Sequence, residues 1–541
     1  MSNNEVATIK HLIEIQDFET AELLCFQLID EQHFFEGYSF LGQIFFKLEL
    51  FRLAVEFYNK AVQHSEGSSA EILYSLACAY EKVSGKKDKI IETLKLVIEA
   101  DPTFWNAYTL LASHLRSEER LFEAIEWLNK AIALKPDLAL AHSWLGYCYS
   151  DLHETEKAIA CFQIVLHLQP NNSDAYEWLG LQKLEQDSLD EAIECFDKHL
   201  GFKNTNEQYW NKVHTVLLQG KYKEGWQLQG SHFWGSIDRL IREPHYKLWN
   251  GVDNLEGKKV LVRSSYGYGD TFQFVRFLPR LKALGCSVTL ECQDDLRRVL
   301  SNCPGVDEVY NRCDNVNLEA FDYTVHLVGL PYLFQMDLCD IAVQAPYIFP
   351  DEFFVNHWKN KLVQYANKTK VGLVWSSGEA GQKKRNCHLS NFSQILNNEN
   401  LHFISLQKGD KALQQIDELG FESKIINLSS EINNFEDTAS IIANLDLVIS
   451  VDTSVVHLAG ALNKPTWTLI PTAPDWRWML NRSDSPWYPN MKLYRQSQFG
   501  NWENVIKEIG RELEIIISKQ QVAYFSAHQQ ITEEKKNKYA A

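Results

Sequence analysis

Apolar positions follow two regimes along the chain. From residue 5 to about 230 they recur at helical spacing in paired amphipathic segments joined by polar turns. From Lys258 onward short β-branched runs alternate with helical stretches. Strands are predicted at 258–263, 287–292, 323–327, 371–375, 403–407, 424–428, 447–451 and 466–470. Helices are predicted at 271–284, 409–419, 438–444 and 455–462, and a connector containing a helix at 346–370. This alternation implies parallel sheets with helices on both faces. Its sharpest stretch is Leu445 to Gly460. Leu447–Val451 reads as a strand buried on both faces. Asp452-Thr453-Ser454 then supplies helix-capping oxygens, and helical spacing continues from Val455. Such a junction offers free amide N–H groups and a dipole-positive end to an anion such as a diphosphate. His457, four residues after Thr453 and three after Ser454, shares their face. The same residues also fit an ordinary β–α junction with a capping Asp and a satisfied histidine.

The helical half is periodic. Ala112, Gly146 and Gly180 lie 34 residues apart, as do Ala124, Ala158 and Ala192; Leu128, Phe162 and Phe196; and Pro136 and Pro170. Each unit reads as helix, turn, helix, with a small residue where the two cross, an aromatic or Leu in the groove and Pro after the second. Leu145-Gly146, Tyr149, Ala158, Phe162 and Pro170 resemble the tetratricopeptide repeat. The pattern runs upstream through Leu41-Gly42, Ala54 and Tyr58 and through Leu76-Ala77, Tyr80 and Leu94. A degenerate unit (Ala21, Leu28) opens the set and another (Trp210, Leu217, Trp226) closes it, so about seven units stack into a solenoid. The concave face of such an array commonly holds an extended peptide or partner protein. The aromatic residues of the repeats, with Cys148, Cys161 and Cys195, read as core.

Composition narrows the function classes. The 541 residues are 45% hydrophobic, with 15 Trp and 29 Phe, enough for several buried cores. A net charge of −18 argues against nucleic acid or an anionic membrane as a partner of the whole surface. Eleven cysteines without a Cys-x-x-Cys pair fit reduced thiols in a cytoplasmic protein and suggest no zinc site. No signal peptide is expected, and no apolar run approaches the ~20 residues of a membrane span.

In the second half, Leu261-Val-Arg-Ser-Ser-Tyr-Gly-Tyr-Gly-Asp-Thr-Phe-Gln-Phe-Val-Arg-Phe-Leu-Pro279 resembles the opening strand, loop and helix of glycosyltransferase family 9, the heptosyltransferase-like group. Val371–Gly378, Ile404–Gly409, Val451–Pro465 and Pro474–Pro489 are similar to its later segments. The resemblance implies a GT-B fold, with Asp270 matching the family's proposed catalytic base. It implies donor contacts from Trp375, Arg385, Gln407, Lys408, Asp452, Thr453, Ser454 and His457, and an acceptor-side loop with Gly267, Gly269 and Gln273. An inverting transfer needs a carboxylate to take the acceptor's proton. Asp270 equally suits a helix cap. Amides at Thr453–His457, with a cationic side chain, would steady the leaving diphosphate without a metal. Arg385-Asn-Cys-His-Leu389 departs from the family's Arg-Ser-Ile-Pro-Leu run, and Ser377–Gln382 lacks its Asn-Pro. Arg385 and Lys408 either contact phosphate or nucleotide or face solvent. Asp475-Trp-Arg-Trp478 could set an Arg and an aromatic edge beside the donor, whereas Trp487-Tyr-Pro489 reads as a packed turn. Asp294-Asp295 reads as a helix cap.

The expected fold class is an α-solenoid of tetratricopeptide repeats followed by an α/β GT-B fold of two Rossmann-like lobes. The expected domains are the solenoid at 1–235, an acceptor-side lobe at 236–350, a donor lobe at 351–518 and a charged tail at 519–541. The expected function is transfer from a nucleotide sugar, a substrate and not a cofactor, to a Ser or Thr of a protein recruited by the repeats. Two alternatives stand beside it: a transferase for a lipopolysaccharide or other glycan acceptor, and a repeat adaptor with a degenerate transferase half.

Overall fold

The computed structural model describes residues 3–65, 69–202, 206–230, 247–264, 266–312, 314, 316–341, 345–377 and 383–518. Loop positions 378–382 and the tail 519–541 lie outside them. The chain divides into two compact units, Met1–Gln186 with Glu194–Lys203, and Asp187–Ile193 with Asn204–Ala541.

The first unit is a run of antiparallel helix pairs, such as Phe34–Lys47 with Phe51–Gln63 and Ala139–Asp151 with Thr155–Leu168. Its repeat has a steric basis. Gly42 faces Tyr58, Gly146 faces Phe162 and Gly180 faces Phe196, and a Cβ on these glycines would come within 2.6, 2.7 and 2.6 Å of ring carbons. Closely crossed helices therefore need glycine opposite each buried ring. Gly146→Ala is expected to destabilise this unit by about 1–3 kcal/mol through overpacking. Denaturant unfolding checks it; a change below about 0.5 kcal/mol, the range of ordinary surface substitutions, would show that Phe162 yields freely.

The second unit holds two sheets. The first comprises β1 (Lys259–Arg263), β2 (Ser287–Cys292), β3 (Glu308–Asn311) and β4 (Tyr323–His326), in the order β3-β2-β1-β4. The second comprises β5 (Thr369–Val374), β6 (Leu401–Ser405), β7 (Ile425–Asn427), β8 (Leu447–Val451), β9 (Thr466–Ile470) and β10 (Met491–Arg495), in the order β10-β9-β8-β5-β6-β7. Every strand pair is parallel. β8 and β9 are buried at every position, as their apolar runs require. In each sheet the strand order reverses beside the first strand, between β1 and β4 and between β5 and β8. Ligands of doubly wound sheets bind beyond the strand C-termini at such reversals. The region is of the GT-B type.

Two strands and several helix limits differ from the sequence reading. β3 and β10 were not predicted. Both are edge strands with mixed burial, so neither carries an uninterrupted apolar run. The helix predicted at 271–284 is three pieces, Tyr268–Phe274, a 3₁₀ turn at Val275–Phe277 and Leu278–Lys282. Pro279 sits in the first turn of the last piece, where its missing N–H costs nothing. The helix predicted at 438–444 starts earlier, at Phe435, because Asn434 caps it by accepting from the Glu436 and Asp437 amides. Helix Asn206–Leu218, which the repeat phase assigns to the last tetratricopeptide unit, packs on the 3₁₀ turn Trp476–Trp478 of the second unit. Among the described residues no helix is long and apolar enough to cross a membrane.

Candidate functional site

A cavity of about 600 Å³ opens beyond the C-terminal ends of the strands at the two reversals. On its β1 side the chain leaves Arg263, turns at Gly267 and starts the Tyr268–Phe274 helix. Asp270 lies in that helix's first turn. Its Oδ2 accepts the Gly267 N–H at 3.0 Å and its Oδ1 is paired with the Arg477 guanidinium. Asp270 is thus a helix cap and a cavity wall at once. Gly269 permits the close crossing of this helix with Ser454–Ala461, since a Cβ there would stand 2.8 Å from His457 Cδ2.

On the opposite side β8 ends in Asp452 and Thr453 caps the Ser454–Ala461 helix, its hydroxyl accepting the Val455 N–H at 3.3 Å. Thr453, Ser454, Val455 and His457 all line the cavity. His457 Nδ1 is hydrogen-bonded to Tyr488 Oη at 2.8 Å, and its ring stacks on Trp478. Burial, with Arg477 nearby, drives His457 well below the ordinary histidine value, so it is a neutral group. The cations on the cavity wall are Arg385, Arg477 and Lys408.

Arg477 and Arg385 form a chain of ion pairs with three aspartates. Arg477 pairs with Asp270 and, at 2.8 Å, with Asp475; Arg385 stands 3.5 Å from Asp475 and 3.2 Å from Asp452. Burial lifts the Asp475 carboxyl, but Arg477 and Arg385 outweigh it and hold it well below the usual carboxylate range. Burial pushes Asp452 above that range, and Arg385 offsets only part of the shift. For Arg477, burial is outweighed by Asp475 and Asp270, which keep it firmly cationic. Such a network holds charged groups at the cavity wall in fixed positions, ready to exchange partners with an anionic ligand.

Of the residues expected at the site, Asp270, Gly267, Gly269, Arg385, Gln407, Lys408, Asp452, Thr453, Ser454 and His457 meet around this cavity. Trp375 and Gln273 do not. Trp375 is fully buried in the core of the second sheet, with its indole N–H donated to the Ala412 carbonyl at 3.2 Å. Gln273 is buried behind the wall and accepts from Arg477 Nε. Gln407 uses its amide on the backbone, accepting from the Trp375 and Ser376 N–H groups and donating to the Ser376 and Lys408 carbonyls, which fixes the end of β5. Lys408 Nζ donates to the Ser429 and Ile432 carbonyls, both at 2.9 Å, and so fastens that loop to the rim. Asp295 accepts from Tyr268 Oη at 2.6 Å and Asp294 from Asn311 at 2.8 Å, which gives each a structural partner.

Asp475 and Arg477, from the segment read as able to set an Arg beside the donor, hold the centre of the ion-pair chain on the wall. Wall residues absent from the expected set include Asn434, and Phe435, which packs edge-on against Phe272. The signal for the latter pair was the run Asn434-Phe-Glu-Asp437, a cap followed by first-turn acids. His214 Nε2 accepts the Trp476 N–H at 3.3 Å, a link between distant segments that no local pattern announces.

Burial also holds His214 and His326 below the ordinary value, His326 at about 4. Unfolded, these histidines and His457 take up protons below about pH 6.5. The native state resists until lower pH, so it binds fewer protons and its stability rises with pH across roughly 4 to 6.5. Lowering the pH through that window is therefore expected to lower the urea midpoint. A midpoint constant from pH 6.5 to 5 would show that the native state protonates these rings freely.

Comparison with known proteins agrees with this architecture. Glycosyltransferase family 9 (heptosyltransferase) matches residues 359–502, and tetratricopeptide repeat patterns match 35–64, 112–152 and 145–207. Protein FlbA of Caulobacter vibrioides is 25% identical over 504 residues, covering 87% of this chain and 77% of that protein. Among solved structures, MamA is 28% identical and covers 33% of this chain and 96% of its own, with a TM-score of 0.30. YrrB, a TPR protein with an unusual peptide-binding site, is 19% identical and covers 34% of this chain and 94% of its own, with a TM-score of 0.31. The family match contains Arg385, Asp452–His457, Asp475 and Arg477, while Asp270 precedes it. The chain is a glycosyltransferase that carries tetratricopeptide repeats in its N-terminal part and a glycosyltransferase family 9 domain at residues 359–502.

Proposed function

We propose that the protein moves a sugar from a nucleotide sugar to a Ser or Thr hydroxyl of a protein recruited by its repeats, with inversion and without a metal ion. One observation carries this reading: a single cavity has Asp270 on one wall and the Thr453-capped helix start with Arg385 on the other. Its volume of about 600 Å³ is within the range of small-ligand sites. The nucleoside diphosphate lies along the helix start, where amides and the dipole favour an anion. The acceptor oxygen bonds to the anomeric carbon while the bond from that carbon to the diphosphate oxygen breaks, its electron pair leaving with the diphosphate. Asp270 takes the hydroxyl proton. Arg385 and Arg477 balance the charge that grows on the leaving group. The solenoid favours a protein acceptor, because such arrays bind extended peptides.

The test is thermal unfolding against a panel of nucleotide sugars, run both with and without EDTA. A bound donor stabilises by mass action, about 2.7 kcal/mol at a hundredfold excess over Kd. One donor class is expected to raise the melting temperature, and Arg385→Gln to weaken that donor's binding at least tenfold. No shift with any nucleotide sugar would favour the non-catalytic adaptor; a shift abolished by EDTA would remove the metal-free mechanism.

A further inference from the structure

A second cavity, of about 270 Å³, meets the first at Asp270 and Arg477, which line both. Apart from Trp476, its other walls come from outside the family 9 match, chiefly from helix Asn206–Leu218 and residues 222–230. Val213, Leu217, Trp226, Phe274, Val328 and Trp476 make it apolar. Trp210 and Tyr266 each keep 37% of their surface exposed, so the cavity has a way in beside them.

Two polar atoms on these walls are buried without a hydrogen-bond partner among the described residues, the indole Nε1 of Trp226 and the amide Oε1 of Gln229. Trp226 itself is only 1% exposed. Leaving such groups unpaired is unfavourable, so a ligand that pairs them gains binding at this spot. One is a donor and the other an acceptor, three residues apart on one helix face. A peptide group presents the matching carbonyl and N–H. A sugar ring suits the walls less well, since its hydroxyls need several polar partners and His214 Nε2 is already engaged by the Trp476 N–H.

Resting on the protein-acceptor reading above, we propose that this cavity is an acceptor subsite for an aromatic or large apolar side chain next to the modified Ser or Thr. The side chain fills the apolar pocket, its peptide group meets Trp226 and Gln229, and the neighbouring hydroxyl comes to Asp270. Specificity for the flanking residue is then written largely outside the family 9 match, in helix Asn206–Leu218 and residues 222–230, with Trp476 as the wall they share with it.

The experiment uses the full-length chain with the donor that raises its melting temperature. Ser-containing hexapeptides carrying Trp, Phe, Leu, Ala or Asp beside the Ser, and free mono- and disaccharides, are offered as acceptors, with transfer read by mass spectrometry. Peptides with Trp or Phe are expected to have at least tenfold higher kcat/KM than those with Ala or Asp. Val213→Trp, which fills the cavity, is expected to erase that preference by raising peptide KM, while the melting shift given by the donor stays. Should that variant fold poorly, Trp226→Phe keeps an aromatic ring there and removes the indole N–H; it is expected to raise peptide KM several-fold with kcat little changed. Peptide transfer indifferent to the flanking residue, or a preference that survives both variants, would overturn the subsite and leave the protein-acceptor reading standing. Transfer to saccharides alone would overturn both.

Discussion

Asp270→Asn is expected to lower the transfer rate by about 10²–10⁴-fold, the usual contribution of a positioned base. The replacement is nearly isosteric, and its amide oxygen can still accept the Gly267 N–H that Asp270 Oδ2 now accepts at 3.0 Å. The helix start therefore keeps its cap; even complete loss of a cap costs only about 1 kcal/mol of stability. What the amide cannot do is take a proton. The change also removes the charge that pairs with Arg477, which keeps its 2.8 Å ion pair with Asp475. The capping and chemical roles of Asp270 thus separate in the measurement. Loss of the cap alone would lower the melting temperature with kcat retained, whereas loss of the base lowers kcat with the fold intact. Donor binding should persist, because Arg385 and the Thr453-capped helix start lie on the other wall. Single-turnover transfer at saturating donor reads the chemical step without product release. Activity equal to wild type would hand the proton to another group and reduce Asp270 to its capping role.

The cavity wall that carries Thr453 was legible because its elements are local. A run of five buried residues, four of them apolar, then Asp-Thr-Ser, then helical spacing fixes β8, the cap and the helix within sixteen consecutive residues. Asp270 was legible for the same reason, as the acid in the first turn after a glycine loop. Trp375 shows where local reading went astray. It follows β5 at a strand C-terminus, where ligand contacts gather, yet it shares alternation with Val371 and Leu373, and all three lie in one core. The period of two predicts that side more reliably than nearness to the strand end does. β3 and β10 escaped because edge strands keep polar residues on their open side. The Asp270–Arg477 pair spans 207 positions and the His214–Trp476 bond 262. Nothing in either neighbourhood encodes such partners; they exist only once both sheets have formed and the chain has returned.

That long-range dependence makes the second large effect predictable. Expressing residues 236–541 alone is expected to give a chain that unfolds without a cooperative transition or melts far below a fragment beginning at Asp187. The cut at 236 looks natural from the end of the repeats, but it removes Tyr222 and Trp226, both at most 1% exposed. Trp226 packs edge-on against Trp476 with ring centroids 5.2 Å apart, and lies 6.1 Å from Phe274. Tyr222 packs between Trp476 and Trp487, and its hydroxyl accepts the Trp487 indole N–H at 3.3 Å. Deleting one buried aromatic side chain costs about 3–5 kcal/mol. Losing two of them together with the Asn206–Leu218 helix approaches the whole 5–15 kcal/mol stability of an ordinary domain. The segment left uncovered is Asp475–Trp478, so Arg477 would lose its fixed place beside Asp270 and the donor shift should vanish with the fold. A fragment from Asp187 keeps all these contacts and should retain near-UV circular dichroism and the donor-induced rise in melting temperature. Equal melting temperatures for the two fragments would mean that the Tyr222–Trp226 cluster only decorates a transferase fold that stands without it, and the aromatic cavity would then have no claim on the active site.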